Sequence, residues 1–245
     1  MKHEKEFLFI SGCDRSGTTA LVRLLNSHKD ICLGMERYKG LIKRDKLNSL
    51  NHSRFEKDNF FNIMDEETNI QWDYFYEPLM EKFDSCKYVG DKVPRYFEIY
   101  NHLSTEFPKA KHIFIVRDPY EVASSWKVRA QDKNDINWLA TNDVHRSVAI
   151  WNKSLEIAYK QLKLGKMDIV IVSYNEIFSG NKKELTKITD HIGTTISDDL
   201  NAKFEEMTKS WSQRSTKKLA LTDEEVLFVS NNANIKLAKF IIDSF

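Results

Sequence analysis

The sequence predicts an α/β protein built on an open, mostly parallel sheet, and three observations carry that expectation. The chain starts as strand, glycine-framed turn and helix: Phe7 to Ser11 is a short apolar run, Gly12 and Gly17 bracket a tight turn, and Leu21, Leu24 and Leu25 share one helical face. Further short apolar runs at Ile31 to Leu33, Lys87 to Asp91, Lys111 to Val116 and Asp168 to Ser173 are separated by helical patterns and turn signals. Finally, 245 residues with 41% hydrophobic content suit one domain, spanning 1–245, with a full core.

The opening element is a phosphate cradle. Gly12 and Gly17 allow the backbone to turn and approach a ligand, and Ser16, Thr18 and Thr19 offer hydroxyls beside the free amides of a helix N-terminus. The spacing Gly12-x4-Gly17 matches the nucleotide triphosphate loop G-x4-G-K-[ST], but Thr18 stands where the phosphate-binding lysine belongs. A magnesium-dependent kinase would lack its main charge, so Arg15 is expected to supply the cation. A P-loop kinase and a non-catalytic nucleotide-binding protein are the alternatives.

Composition excludes several classes. With 37 basic and 36 acidic residues there is no global field for nucleic acid or a membrane surface. Cys13, Cys32 and Cys86 are odd in number and lack C-x-x-C or histidine company, which argues against a disulfide framework and a metal site and suits a reducing compartment. The first apolar run is four residues long and follows charged residues, so neither a signal peptide nor a membrane span is expected, and the default location is cytoplasmic.

The second strand, Ile31 to Leu33, ends at Gly34 and leads to Glu36, the first carboxylate past a strand end; Arg37 or a lysine could simply neutralise it. Residues 39–85 show little periodicity. Their charge is positive up to Phe55, and then nine acidic residues face only Lys57 and Lys82. Phe60, Phe61, Trp72, Tyr74, Phe75 and Tyr76 give this stretch enough apolar area to dock, either as a helical cap insertion over the active cleft or as helices on the sheet edge. The third strand runs into Lys92 and Pro94, where a new helix can begin. The fourth ends in Arg117, with Ser125 eight residues later in the following helix; Asp118 is a possible partner for Arg117.

In the remaining third, residues 134–163 read as one long amphipathic helix, with His145 and Arg146 available to an acceptor. Residues 181–192 read as a helix on the sheet. The segment from Lys209 to Lys218 is basic and aperiodic, which predicts a mobile loop that orders on an anion, and Thr222 to Glu225 is a capping box for a terminal helix reaching about Ile242.

Taken together these residues resemble the PAPS-dependent sulfotransferases, a family with a P-loop-like three-layer α/β/α sandwich. Gly12 to Thr19 is similar to the family's 5′-phosphosulfate loop, with Asp14 where proline is usual, and Val116 to Ser125 is similar to its 3′-phosphate signature. The run from Arg15 to Glu36 resembles tyrosylprotein sulfotransferases, Gly90 to Pro94 the [DE]-K-x-P element of bacterial and heparan-type members, and Val170 to Phe178 the late strand and its Y-E-x-[LF] segment.

The resemblance implies PAPS (3′-phosphoadenosine 5′-phosphosulfate) as sulfuryl donor, with no metal, and an acceptor hydroxyl. That hydroxyl is expected on a carbohydrate, glycolipid or small metabolite, with peptide tyrosine as a further option. It implies Glu36, Lys92 and Arg15 as catalytic groups, Glu36 being the base. It implies Arg15, Ser16, Gly17, Thr18, Thr19, Arg117, Ser125 and Tyr174 as nucleotide contacts, and Arg214, Ser215 and Lys217 as secondary ones. Asp14, His28 and His145 are alternative bases. The acceptor and the oligomeric state lie beyond the resemblance.

Overall fold

The computed structural model describes residues 4–43, 45–68, 76–135, 138–214 and 219–245, with Arg214 described by its backbone alone. Five strands form one sheet: β1 (Glu6–Gly12), β2 (Ile31–Met35), β3 (Tyr88–Lys92), β4 (Lys111–Val116) and β5 (Asp168–Ser173). Their order is β2-β3-β1-β4-β5 and every pairing is parallel. β2 and β3 each run one to two residues further than the apolar runs suggest, because the ladder continues through Met35 opposite Lys92.

Alternation along the strands separates two cores. Leu8, Ile10, Ile113, Ile115, Val170 and Val172 face one layer, formed by α1 (Thr18–Leu25), α7 (Tyr174–Phe178), α8 (Lys182–Ile192) and α9 (Asp198–Arg214). Phe9, Cys32, Val89, Phe114 and Ile171 face the other. That second layer holds the segment after β2, including α2 (Lys57–Phe61) and α3 (Tyr76–Lys82), then α4 (Tyr100–Glu106), α5 (Pro119–Ala130) and α6 (Val144–Leu164). The chain closes with α10 (Asp223–Asn232) and α11 (Ile235–Ser244). The result is the expected three-layer α/β/α sandwich. In the described part of 39–85, Leu50, Phe55, Phe60, Leu79 and Phe83 are buried in the second core; Trp72, Tyr74 and Phe75 lie outside the described residues.

Three helix expectations change. The helix expected from residue 134 starts at Val144, because the Asp143 side chain accepts the Arg146 amide at 2.8 Å and caps it there. The terminal helix is two helices: Ala233 is extended, and Asn234 starts α11 by accepting the Leu237 amide. Residues 209–214 of the expected loop complete the last turns of α9, while Ser215, Thr216, Lys217 and Lys218 lie outside the described residues.

The sheet order positions the site. From β1 the chain leaves toward β2, whereas the connection from β3 passes β1 to reach β4. The carboxyl ends of β1 and β4 therefore flank the switch in strand order, where open α/β sheets bind ligands.

Candidate active site

The turn after β1 is built for an anion. Ser16 donates its amide to the Cys13 carbonyl at 3.0 Å, and its side-chain hydroxyl is buried without a partner among the described residues. A Cβ on Gly12 would lie 2.6 Å from both Ser16 Oγ and the Ile115 carbonyl oxygen, so glycine is required for the turn to press against β4. Gly17 has a φ of 95°, and a Cβ there would collide with the Tyr174 ring. Gly17 caps α1 without a side-chain hydrogen bond, leaving the first amides of that helix, at Thr18 and Thr19, open to a ligand.

Arg15 sits in this turn with a φ of 72°, and its Nε donates to Ser125 Oγ at 3.0 Å. Arg117 donates from Nη1 to the Arg15 carbonyl at 3.1 Å, lies over the Tyr174 ring at 4.3 Å, and pairs with Glu121 at 2.7 Å. Asp118, the partner considered for Arg117, instead caps α5 by accepting the Tyr120 and Glu121 amides. The turn after β1 and the residues Arg117 and Ser125, 102 and 110 positions from Arg15, thus form one cluster. It borders a cleft of about 1000 Å³ that Arg129 and Trp211 also line. Burial, followed by the nearby Arg129 and Arg117, lowers the Arg15 pKa from its ordinary value. An orphaned buried hydroxyl, uncapped helix amides and converging guanidinium groups fit a nucleotide phosphate.

On the other side of the cradle, Lys92 at the end of β3 is wholly buried, and its Nζ donates to Thr19 Oγ1 at 3.1 Å and to Glu36 Oε1 at 3.0 Å. Lys39 holds the second Glu36 oxygen at 2.9 Å. Burial alone would raise the Glu36 carboxyl, but the Lys92 and Lys39 ammonium groups outweigh it and hold its pKa below the ordinary value. Burial lowers Lys92 despite its carboxylate partner. Glu36 itself has a φ of 59°, a left-handed conformation that a non-glycine residue adopts only when its surroundings impose it. The next residue supplies one anchor: Arg37 is wholly buried and donates to the Phe60, Asn59 and Asn62 carbonyls and to the Glu67 carboxylate, which Arg54 also holds.

The other candidate bases are engaged elsewhere. Asp14 accepts from Arg95 Nε at 2.7 Å, which neutralises the charge that the sequence brings into the phosphate turn. His28 is buried, with Nε2 3.1 Å from the Thr195 carbonyl and Nδ1 accepting the Asp30 amide. His145 is exposed on α6, its ring 4.2 Å from that of Phe228. Ser215 and Lys217 lie outside the described residues, as does the Arg214 side chain. Sequence reasoning missed Arg129, which its spacing could have revealed: it follows Ser125 by four residues and so shares that face of α5. Lys39 and Arg95 were also missed, and Asp91 entered only as the acidic member of the [DE]-K-x-P element. The partner of Arg95 and two of the four donors to Asp91 come from distant elements and leave no local signal.

Comparison with known proteins agrees with this geometry. A sulfotransferase family model matches residues 8–198. Protein-tyrosine sulfotransferase 2 of Gallus gallus is 24% identical over 200 residues, covering 80% of this chain and 53% of the relative. Protein-tyrosine sulfotransferase A of Caenorhabditis elegans is 24% identical over 193 residues, covering 76% and 49%. The chain therefore spans about half the length of these curated relatives. Among solved structures, the sulfotransferase domain from the curacin biosynthetic pathway superposes with a TM-score of 0.57 at 19% identity, covering 94% of this chain and 98% of that one. Among the described residues no helix is long and apolar enough to cross a membrane. With a family model matched from β1 to the start of α9, the chain belongs to the sulfotransferase family.

Proposed function

We propose that this protein transfers a sulfuryl group from PAPS to an acceptor hydroxyl, with Glu36 as base. The observation that carries the reading is the position of Lys92 Nζ, 3.1 Å from Thr19 in the cradle and 3.0 Å from Glu36. It couples a phosphate seat to a carboxylate through one buried cation.

PAPS supplies, when bound, a sulfuryl group activated by a phosphate leaving group. Ser16, Gly17, Thr18, Thr19 and Arg15 would hold the 5′ side through hydroxyls, amides and a guanidinium. Arg117 and Ser125 would hold the 3′-phosphate, with Tyr174 under the Arg117 guanidinium. Glu36 is ionised at neutral pH, since its two lysine partners favour the charged form, and its carboxylate is placed to accept the proton of an acceptor hydroxyl. Lys92 and Arg15 provide fixed positive charge where negative charge develops, so the chain's own cations supply the electrostatic stabilisation. The acceptor side lies toward Glu36 and the segment after it. A carbohydrate, glycolipid or small-metabolite hydroxyl and a peptide tyrosine are the acceptors to compare, the last supported by the names of the curated relatives. The three buried free thiols support a reducing, cytoplasmic setting.

The test is ligand-dependent thermal stability followed by turnover. PAP (3′-phosphoadenosine 5′-phosphate) should raise the melting temperature more than ADP or AMP does, in EDTA. Labelled PAPS should then transfer its label to a member of an acceptor panel, and Glu36→Gln should slow that transfer about 10²- to 10⁴-fold while retaining PAP. Equal stabilisation by the three nucleotides would overturn the 3′-phosphate assignment, and full turnover by Glu36→Gln would overturn the base.

A further inference from the structure

Asp91 precedes Lys92 on β3 and is wholly buried. Its carboxylate accepts four donors. Oδ1 takes the Arg37 amide at 3.0 Å and the Lys92 amide at 2.8 Å, while Oδ2 takes the Tyr38 amide at 3.0 Å and the Tyr96 hydroxyl at 2.9 Å. Two of these amides belong to the residues directly after Glu36, and a third belongs to Lys92. One carboxylate therefore ties the turn that carries the base to the strand end that carries the cation. The Glu36 amide adds a bond to the Lys92 carbonyl at 2.6 Å. A Cβ on Gly34 would come within 2.9 Å of Asp91 Oδ1, so the strand before the turn also leaves room for this carboxylate.

The geometry points to Asp91 as a positioning residue: by holding the amides of Arg37, Tyr38 and Lys92 it fixes the left-handed turn at Glu36 and sets the Glu36–Lys92 spacing. This rests on the reading of Glu36 as the base. Asp91 is wholly buried and its hydrogen bonds go to residues 37, 38, 92 and 96, so it acts through its neighbours. A carboxylate is suited to the task because all four surrounding groups are donors. An asparagine of the same shape would turn its NH2 toward at least one main-chain amide in either orientation, and since that amide can only donate, the turn would be pushed away. In a site where an ångström of misplacement can cost two orders of magnitude, such a disturbance falls on the rate of the chemical step.

The experiment measures kcat, KM for PAPS and PAP affinity for Asp91→Asn and Tyr96→Phe, each in the native and the Glu36→Gln background. Asp91→Asn should lower kcat about 10- to 100-fold, with the PAP dissociation constant within about 2-fold of native, because the nucleotide groups are untouched. Tyr96→Phe removes one donor, keeps the amides, and should lower kcat by about 3- to 10-fold. With Glu36→Gln already present, Asp91→Asn should cost less than about 3-fold more, since a positioning residue loses its effect when the group it positions is gone. A kcat within about 2-fold of native for Asp91→Asn, or a full multiplicative loss in the double variant, overturns the proposal. So does PAP affinity that falls in step with kcat. If Asp91→Asn is insoluble, Tyr96→Phe decides: its kcat falls with PAP binding retained, or the proposal fails. A native rate for Glu36→Gln alone defeats the base assignment, and the positioning role with it. A normal Asp91→Asn beside a strongly impaired Glu36→Gln defeats only the positioning role.

Discussion

Replacing Lys92 by methionine tests whether the buried ammonium serves the reaction or merely the fold. The side chain is fully buried, so its desolvation opposes the ion pair with Glu36, and burial lowers its pKa. Removing one member of a buried pair costs about 3–5 kcal/mol when the partner is left stranded. Glu36 is not stranded, because its side chain is 16% exposed and Lys39 stays at 2.9 Å. The unbranched methionine fills the space without a charge to desolvate, so the expected net destabilisation is about 1–2 kcal/mol, roughly 2–8 °C in melting temperature for a domain of this size. The expected loss in kcat is much larger, about 10²- to 10³-fold, the range seen when one donor to developing charge is removed. That corresponds to about 2.7–4 kcal/mol of transition-state stabilisation. Labelled-PAPS transfer at saturating acceptor, calorimetric titration with PAP and a thermal melt separate these terms. A kcat within a few-fold of native, or a loss explained wholly by weaker PAP binding, would refute the reasoning.

Arg95→Ala should leave Asp14 unpaired beside the phosphate turn and weaken PAP by about 10-fold, and adding Asp14→Ala should restore most of it, measured by titration; an unchanged affinity in the single variant would show that Asp14 is not felt by the nucleotide. Gly17→Ala places a side chain at a φ of 95° and against the Tyr174 ring, so a destabilisation of about 1–3 kcal/mol and loss of PAP-induced stabilisation are expected in thermal melts. For His112, burial first and then the nearby His191 lower the pKa to about 3, so the folded protein keeps the ring neutral while the unfolded chain protonates it near its ordinary value of 6.5. Below pH 6.5 the unfolded state binds the extra proton, so stability falls with pH by up to about 1.4 kcal/mol per unit until the folded pKa is reached. Urea midpoints of His112→Phe between pH 7 and 4 should show that slope reduced by about one proton relative to native, and an equal slope would rule the residue out.

How much of this was legible in the sequence depends on the range of the interactions. β4 and β5 match the expected strands residue for residue, since a β-branched run buried on both faces specifies itself. The proposed site residues Arg15, Ser16, Arg117, Lys92 and Glu36 come together for a related reason. Each sits at or just past a strand end, and a parallel sheet gathers strand ends at one edge whatever the loops do, while Ser125 reaches the same edge from within α5. Legibility failed where a single polar side chain decides. Asp143 starts α6 well after its apolar periodicity begins, and Asn234 divides a terminal pattern that continues on both sides of it. It failed also where two distant groups meet. Asp14 looked like a defect in the cradle until Arg95, 81 residues away, was found against it. Asp91 ended the expected third strand and stood in the [DE]-K-x-P element, but only the fold brings the amides of residues 37 and 38 onto its carboxylate. The groups expected to touch the substrate are thus written in motifs. The groups that hold them are written in tertiary contacts, so substitutions at Asp91 and Arg95 separate the two kinds of information.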